Sequence, residues 1–241
     1  MFDVVERTVS SRFQMSRNRI ITIDGPSGAG KSTVARLLAE RLGFEYLDTG
    51  ALYRAVALYL RRRGVGEDVG DETIEELLRE LNIGFSGGRV YVDGEDVSEA
   101  VRTPEIGHYS SVFSARRPVR EFLLSIQRAH AERCDTVVEG RDMGTVVFPD
   151  AWMKFFLDAS LQERAKRRYL QLQRKGIDVT MEEAVRDVQQ RDERDSQRDI
   201  APLRCPTDAV YMDTTSMGIE DTIKKMLEFI EKQAAGSCTG Y

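Results

Sequence analysis

The run Gly25-Pro26-Ser27-Gly28-Ala29-Gly30-Lys31-Ser32 has the G-x-x-x-x-G-K-[ST] spacing of a phosphate-binding loop. Its residue types say what it would do. Glycines let the backbone curl so that successive N–H groups converge on one phosphate, and a helix beginning at Lys31 turns its positive end to the same anion. Lys31 then reaches the β- and γ-phosphates, and the Ser32 hydroxyl holds Mg²⁺. The plainer reading is a glycine-rich turn beside a surface lysine. It loses ground because the β-branched run Ile20-Ile21-Thr22-Ile23 precedes the loop and a helical pattern follows it. The motif specifies a nucleoside triphosphate with Mg²⁺ and leaves the acceptor open.

Three other runs narrow the choice. No Asn-Lys-x-Asp guanine reader occurs. The nearest approach to a Walker-B strand is Val137-Val138-Glu139, but Gly140-Arg141-Asp142 follows it directly. What the chain does have is arginine beside carboxylate. Asp48-Thr49-Gly50-Ala51-Leu52-Tyr53-Arg54 follows the second strand signal, Glu139-Gly140-Arg141-Asp142-Met143-Gly144-Thr145 the third, and the run from Arg191 to Asp199 a late helix. A kinase for a small anionic acceptor needs this inventory. Two anions must approach each other, and the migrating phosphoryl group must be neutralised. Arginine forks suit phosphate oxygens.

The elements that must position these residues follow from periodicity. Strand signals fall at Ile20–Ile23, Phe44–Leu47, Thr136–Val138, Trp152–Leu157 and Ala209–Met212. Helical patterns run over Lys31–Leu42, Ala51–Arg63, Pro118–Glu132, Leu161–Lys175, Thr180–Arg194 and Ile219–Lys232. Strands alternating with helices predict an α/β fold, a five-stranded parallel sheet with helices on both faces. Ligands bind at the carboxyl ends of such strands, where the first two arginine runs fall. Between Val65 and Arg117 the texture changes to a polar-faced helix (Thr73–Leu81) and short strands at Ile83–Phe85 and Arg89–Val92, a small α+β insert. Trp152 reads as core at the fourth strand.

Composition excludes other classes. Of 241 residues, 41% are hydrophobic and 31% charged, with a net charge of −5, which argues against a disordered chain and against adhesion to a nucleic acid polymer by net charge. His108 and His130 are the only histidines, too few for a multi-histidine zinc site. Cys134, Cys205 and Cys238 form no CxxC and read as reduced thiols of a cytoplasmic protein. No apolar run approaches the ~18 residues of a membrane span. Residues 1–18 lack an apolar signal core and are expected to be a disordered extension, and 234–241 a flexible tail.

The motifs together resemble the bacterial cytidylate kinase family, the CMP/dCMP kinases of the nucleoside monophosphate kinase fold. The resemblance is carried by Ile21 to Lys31, Leu47 to Arg54 and Gly140 to Pro149. It continues through Phe156-Leu157-Asp158-Ala159-Ser160, Gln171 to Gly176 and Arg191 to Pro202, and covers about Arg19 to Lys232. It implies phosphoryl transfer from ATP to CMP or dCMP by a monomer. It also implies a CORE (19–64 and 118–233), a nucleotide-binding insert (65–117) and a LID within the CORE (about 161–198). The expected ATP site is Gly25, Pro26, Ser27, Gly28, Ala29, Gly30, Lys31, Ser32 and Thr33. For the base it implies Asp142 toward the cytosine amino group, Arg120 toward N3 and O2, and Thr49 and Ser111 nearby. For the phosphate it implies Arg54, Arg141 and Arg198, the last two acting with Lys31 in catalysis, and for the ribose Arg191 and Asp195.

Competing readings stand beside these. Asp142 can be a cap or an arginine partner. Arg191 and Asp195, four residues apart, can be a surface ion pair. Arg164 and Arg168 read first as a solvated basic helix and second as ATP contacts. For the whole chain, the alternatives are another small-acceptor kinase, for UMP, AMP or a sugar acid, or a nucleotide switch without acceptor chemistry.

Overall fold

A computed structural model describes residues 18–237 of the chain. The expected N-terminal extension lies outside these residues, except for Asn18, whose amide donates to the Glu132 carbonyl at 2.8 Å. Cys238 and the end of the expected tail lie outside them too.

The sheet is five-stranded and parallel, as the strand–helix alternation predicts. Strand β1 (Ile20–Asp24) leads through the phosphate loop to α1 (Lys31–Leu42), and β2 (Glu45–Asp48) leads directly into α2 (Thr49–Arg62). Then come α3 (Asp71–Leu78), a three-stranded antiparallel sheet of β3 (Ile83–Ser86), β4 (Arg89–Val92) and β5 (Glu95–Asp96), and a 3-10 turn at Ala100–Arg102. Helices α4 (Pro104–Phe113) and α5 (Arg117–Ala131) return the chain to β6 (Thr136–Glu139). A π-helical turn, Met143–Val147, precedes β7 (Met153–Asp158). Helices α6 (Leu161–Arg174) and α7 (Met181–Gln197) form a packed pair, followed by β8 (Val210–Asp213) and α8 (Ile219–Ser237). The strand order is β2-β6-β1-β7-β8, so β1 is central.

The core divides across the sheet. On one face Ile21, Ile23, Leu38, Phe155, Met226 and their neighbours pack under α1 and α8. On the other, Leu47, Leu52, Leu123 and Val138 share one cluster with Ile74, Val92, Val101 and Phe113 from residues 65–117. The insert-like segment therefore completes the core of the main sheet, because its short elements have too few apolar residues to bury one another.

Some expectations need correction. The periodicity does not show helix α4. Thr103 caps it by accepting from the Ile106 N–H at 3.3 Å, and Pro104 occupies its first turn. Trp152 lies just before β7 and is only half-buried, its ring 5.6 Å from the Arg19 guanidinium, so it rims the core. The closing helix runs past Lys232 to Ser237.

Each strand of the parallel sheet ends on a carboxylate: Asp24, Asp48, Glu139, Asp158 and Asp213. These line the edge where the phosphate loop and the arginine runs converge.

Candidate active site

The phosphate loop is held by close approaches as well as by its own turn. Gly25 adopts φ +147°, and a Cβ there would sit 1.9 Å from the Leu157 carbonyl oxygen of β7. Gly28 adopts φ +77°, and its Cβ would meet the Arg164 carbonyl oxygen at 2.7 Å. These two glycines let β7 and α6 close on the loop. Arg164 is buried: its guanidinium donates to the Ala159 and Ser27 carbonyls at 2.9 and 3.0 Å and pairs with Asp192. The solvated-helix reading of Arg164 is therefore wrong. Its neighbour on the helix, Arg168, donates to Asp187 at 2.8 Å.

Lys31 is buried, and its ammonium donates to the Pro26 carbonyl at 2.7 Å. Burial, with Arg141 adding repulsion, lowers its pKa to about 7. The Ser32 hydroxyl donates to Glu139 Oε1 at 2.5 Å, and Tyr46 donates to the same oxygen at 3.4 Å. Burial, followed by the nearby Asp48, pushes the Glu139 carboxyl above its usual range. Thr33 is exposed on the first turn of α1. The signal that could have found Glu139 was present, since it ends an apolar strand. What disguised it was the arginine and aspartate that follow.

The residues expected at the acceptor meet in one network. Arg120 from α5 pairs with Asp142 Oδ2, and Arg198, at the end of α7, donates to Asp142 Oδ1 at 3.3 Å. Arg198 also approaches Asp195 Oδ1 at 3.8 Å, and Arg141 donates to Asp195 Oδ2 at 2.8 Å. Burial raises the Asp142 pKa, while Arg120 and Arg198 oppose the shift. Arg120 also lies 5.7 Å from the centre of the Tyr53 ring. So the residue expected to read the base is an arginine partner in this structure.

The remaining expected residues fall around this network. Arg191 donates to Asp187 at 2.9 Å, and Asp195 bonds Arg141, so the surface-pair reading of Arg191 and Asp195 is wrong. The Thr49 hydroxyl is buried and donates to the Glu139 carbonyl at 2.7 Å. Ser111 lies on α4 and accepts from Arg194 of α7 at 3.3 Å. Arg54 is close enough in charge to depress both Arg191 and Lys175, in each case after the larger effect of burial. Sequence reasoning missed Arg167. It donates to the Ala29 carbonyl at 3.2 Å and the Thr214 carbonyl at 2.7 Å, tying α6 to both the phosphate loop and the segment after β8. It also missed Asp192, whose carboxylate accepts from the Ser27 N–H at 2.9 Å. Neither residue carries a sequence signal, because their partners are remote in the chain.

Residues 21–232 match the family model for cytidylate kinase. The cytidylate kinase of Thermodesulfovibrio yellowstonii is 50% identical over 220 residues, which cover 90% of this chain and 99% of that protein. The cytidylate kinase of Geobacter sulfurreducens is 48% identical over 221 residues, covering 90% and 94%. That of Thermotoga maritima is 47% identical over 213 residues, covering 88% and 97%.

Proposed function

Because the chain belongs to the cytidylate kinase family and transfers a phosphoryl group from ATP to CMP or dCMP, we propose that the carboxyl edge of its parallel sheet is the cleft in which this transfer occurs. The observation that carries the reading is the chain Arg120–Asp142–Arg198–Asp195–Arg141. It adjoins a phosphate-loop lysine whose pKa Arg141 helps depress.

Cytosine presents an N4 donor and the N3 and O2 acceptors. Asp142 accepts from N4, and Arg120 donates to the acceptors. Ser111 adds a hydroxyl beside the base, while Thr49 acts through its bond to Glu139. Uracil would bring an O4 acceptor against the Asp142 carboxylate, a mismatch that a polar site rejects strongly. Arg54, Arg141 and Arg198 hold the acceptor phosphate, and Arg191 and Asp195 the ribose. Both oxygens of Asp142 meet arginines, so an arriving base exchanges one polar partner for another and the carboxylate never faces an apolar wall.

No side chain needs to become a nucleophile. The acceptor phosphate oxygen attacks the γ-phosphorus in line with the departing ADP oxygen, and catalysis is positioning plus charge neutralisation. Lys31, Arg141 and Arg198 supply the cationic surroundings. Residues 161–198, held on the loop by Arg164, Arg167 and Asp192, act as the LID that excludes water. The hard oxygen donors of Ser32 and Glu139 suit a magnesium ion, which would neutralise phosphate charge when bound.

Among the described residues no helix is long and apolar enough to cross a membrane. The free thiols of Cys134 and Cys205 support a cytoplasmic location. Among the described residues exposed large apolar side chains are few and spread along the sequence, such as Val146, Leu170 and Tyr211, which supports a monomer.

The test follows ADP formation with ATP and Mg²⁺ against CMP, dCMP, UMP, AMP, GMP and no acceptor, for the wild type and Asp142→Ala. The wild type is expected to use CMP and dCMP chiefly. The variant is expected to lose affinity for CMP far more than for ATP, and an equal loss for both would count against base reading by Asp142.

A further inference from the structure

Asp24 is the last residue of the central strand and is fully buried. Its two carboxylate oxygens accept from the main-chain N–H groups of Met143, at 2.9 Å, and Gly144, at 2.7 Å. These are the leading amides of the π-helical turn Met143–Val147. Within that turn, the Val146 and Val147 N–H groups return to the Asp142 carbonyl and the Phe148 N–H to the Met143 carbonyl. The first amides of any helical turn lack an internal acceptor and need one from outside.

The residue placed to supply it is Asp142, which occupies the cap position of this turn. Aspartate is among the best capping residues. Yet the Asp142 side chain makes no capping bond. It faces Arg120 and Arg198 instead. Asp24 therefore does from a neighbouring strand what Asp142 would otherwise do for its own turn.

Stability alone does not favour this solution. A carboxylate in the core, bonded to two amides, loses most of its hydration. Burial, opposed by the two amide bonds, pushes its carboxyl up to about 6. Of the five carboxylates that end the parallel strands, Asp24 is the one with no exposed surface, and it bonds the segment that carries Asp142.

We propose that Asp24 is a positioning residue for the acceptor: by occupying the Met143 and Gly144 amides, it keeps the Asp142 carboxylate off its own turn and presented to the base. This rests on the reading of Asp142 as the cytosine reader. Since Gly25 follows Asp24, the same bonds tie the start of the phosphate loop to the base-reading segment.

The test compares Asp24→Asn, Asp24→Ser and Asp142→Ala with the wild type. Steady-state KM for CMP and for ATP, the CMP-over-UMP preference and thermal melting are measured for each. An asparagine keeps the shape of Asp24 but offers one acceptor and turns an NH₂ group on the second amide. Asp24→Asn is expected to raise KM for CMP ~10-fold, equivalent to about 1.4 kcal/mol. KM for ATP should stay within about twofold, and the preference over UMP should narrow, because Asp142 is drawn to cap its turn. If the Asn variant does not fold, Asp24→Ser, smaller and with a single acceptor, carries the same readout. Equal changes in the two KM values, no change in either, or failure of both variants to fold would make Asp24 structural and overturn the proposal. A loss of CMP affinity in Asp142→Ala alone would sink this inference and leave the base reading standing. No loss in Asp142→Ala would sink both.

Discussion

The phosphate loop takes consecutive residues, Gly25 to Thr33, and its shape comes from main-chain turns and two close approaches, at Gly25 and Gly28. The proposed acceptor network draws Arg120 from α5, Arg141 and Asp142 from the segment after β6, Asp195 from α7 and Arg198 from just past its end. The donor end is thus local and uses backbone amides, a helix terminus and one lysine. The acceptor end is assembled from side-chain charges that the chain brings together only when folded. The difference suits the tasks. A triphosphate tail presents the same anion to every enzyme and can be met by a standard cradle. A particular base needs donors and acceptors in a particular order, and these are most readily taken from several elements.

The largest expected effect comes from removing the local end. Lys31→Ala is expected to lower kcat by ~10³-fold, with CMP binding measured by calorimetry unchanged within about twofold. A parallel loss of CMP binding would mean that the two ends cannot be separated. Next is the hub of the assembled end. Asp195→Asn leaves Arg141 and Arg198 without their shared carboxylate, and kcat/KM for CMP should fall about 30-fold. KM for ATP should move little, and an equal shift in both would show that the network serves the whole cleft. Smaller still is Ser111→Ala, which removes one hydroxyl between α4 and α7 and should raise KM for CMP about fivefold, the worth of one hydrogen bond. An unchanged KM would leave Ser111 as packing between the two helices.

A stability measurement sharpens the comparison from the seam between the ends. The Asp24 pKa is raised from 3.8 to about 6, so the native state holds that proton more tightly than the unfolded chain does. The protonated group therefore favours the fold at low pH, and that contribution is lost as pH rises from about 4 through about 6. Asp142 opposes ionisation of Asp24, Lys31 favours it, and Cys205 also senses its charge. Asp24→Asn removes this titration, so its melting temperature relative to wild type should improve between about pH 4 and about pH 6. A pH-independent difference would mean that Asp24 keeps an ordinary pKa.

Much of the donor end was legible in the sequence because its residues are neighbours in the chain and their spacing is the mechanism. The strand–helix alternation likewise determined a parallel α/β sheet, since period and composition decide which faces are buried. Helix α4 is hidden because its buried apolar side chains, Ile106 and Phe113, sit in a short span that packs mainly on α2. Arg164 reads as a solvated helix residue and Arg191 as half of a surface ion pair because a sequence shows a helical face without showing what packs on it.

The sequence alone therefore determined the phosphate chemistry, the sheet and, through family resemblance, the reaction. Only the tertiary structure decided that Asp142 is shared by Arg120 and Arg198, that Glu139 accepts from Ser32, and that Asp24 caps a turn belonging to another strand. The physical reason is range. Turn geometry and helix termini act over a few residues, whereas buried charges are stabilised by whatever opposite charge or amide the fold brings within hydrogen-bonding distance, however far away it lies in the chain.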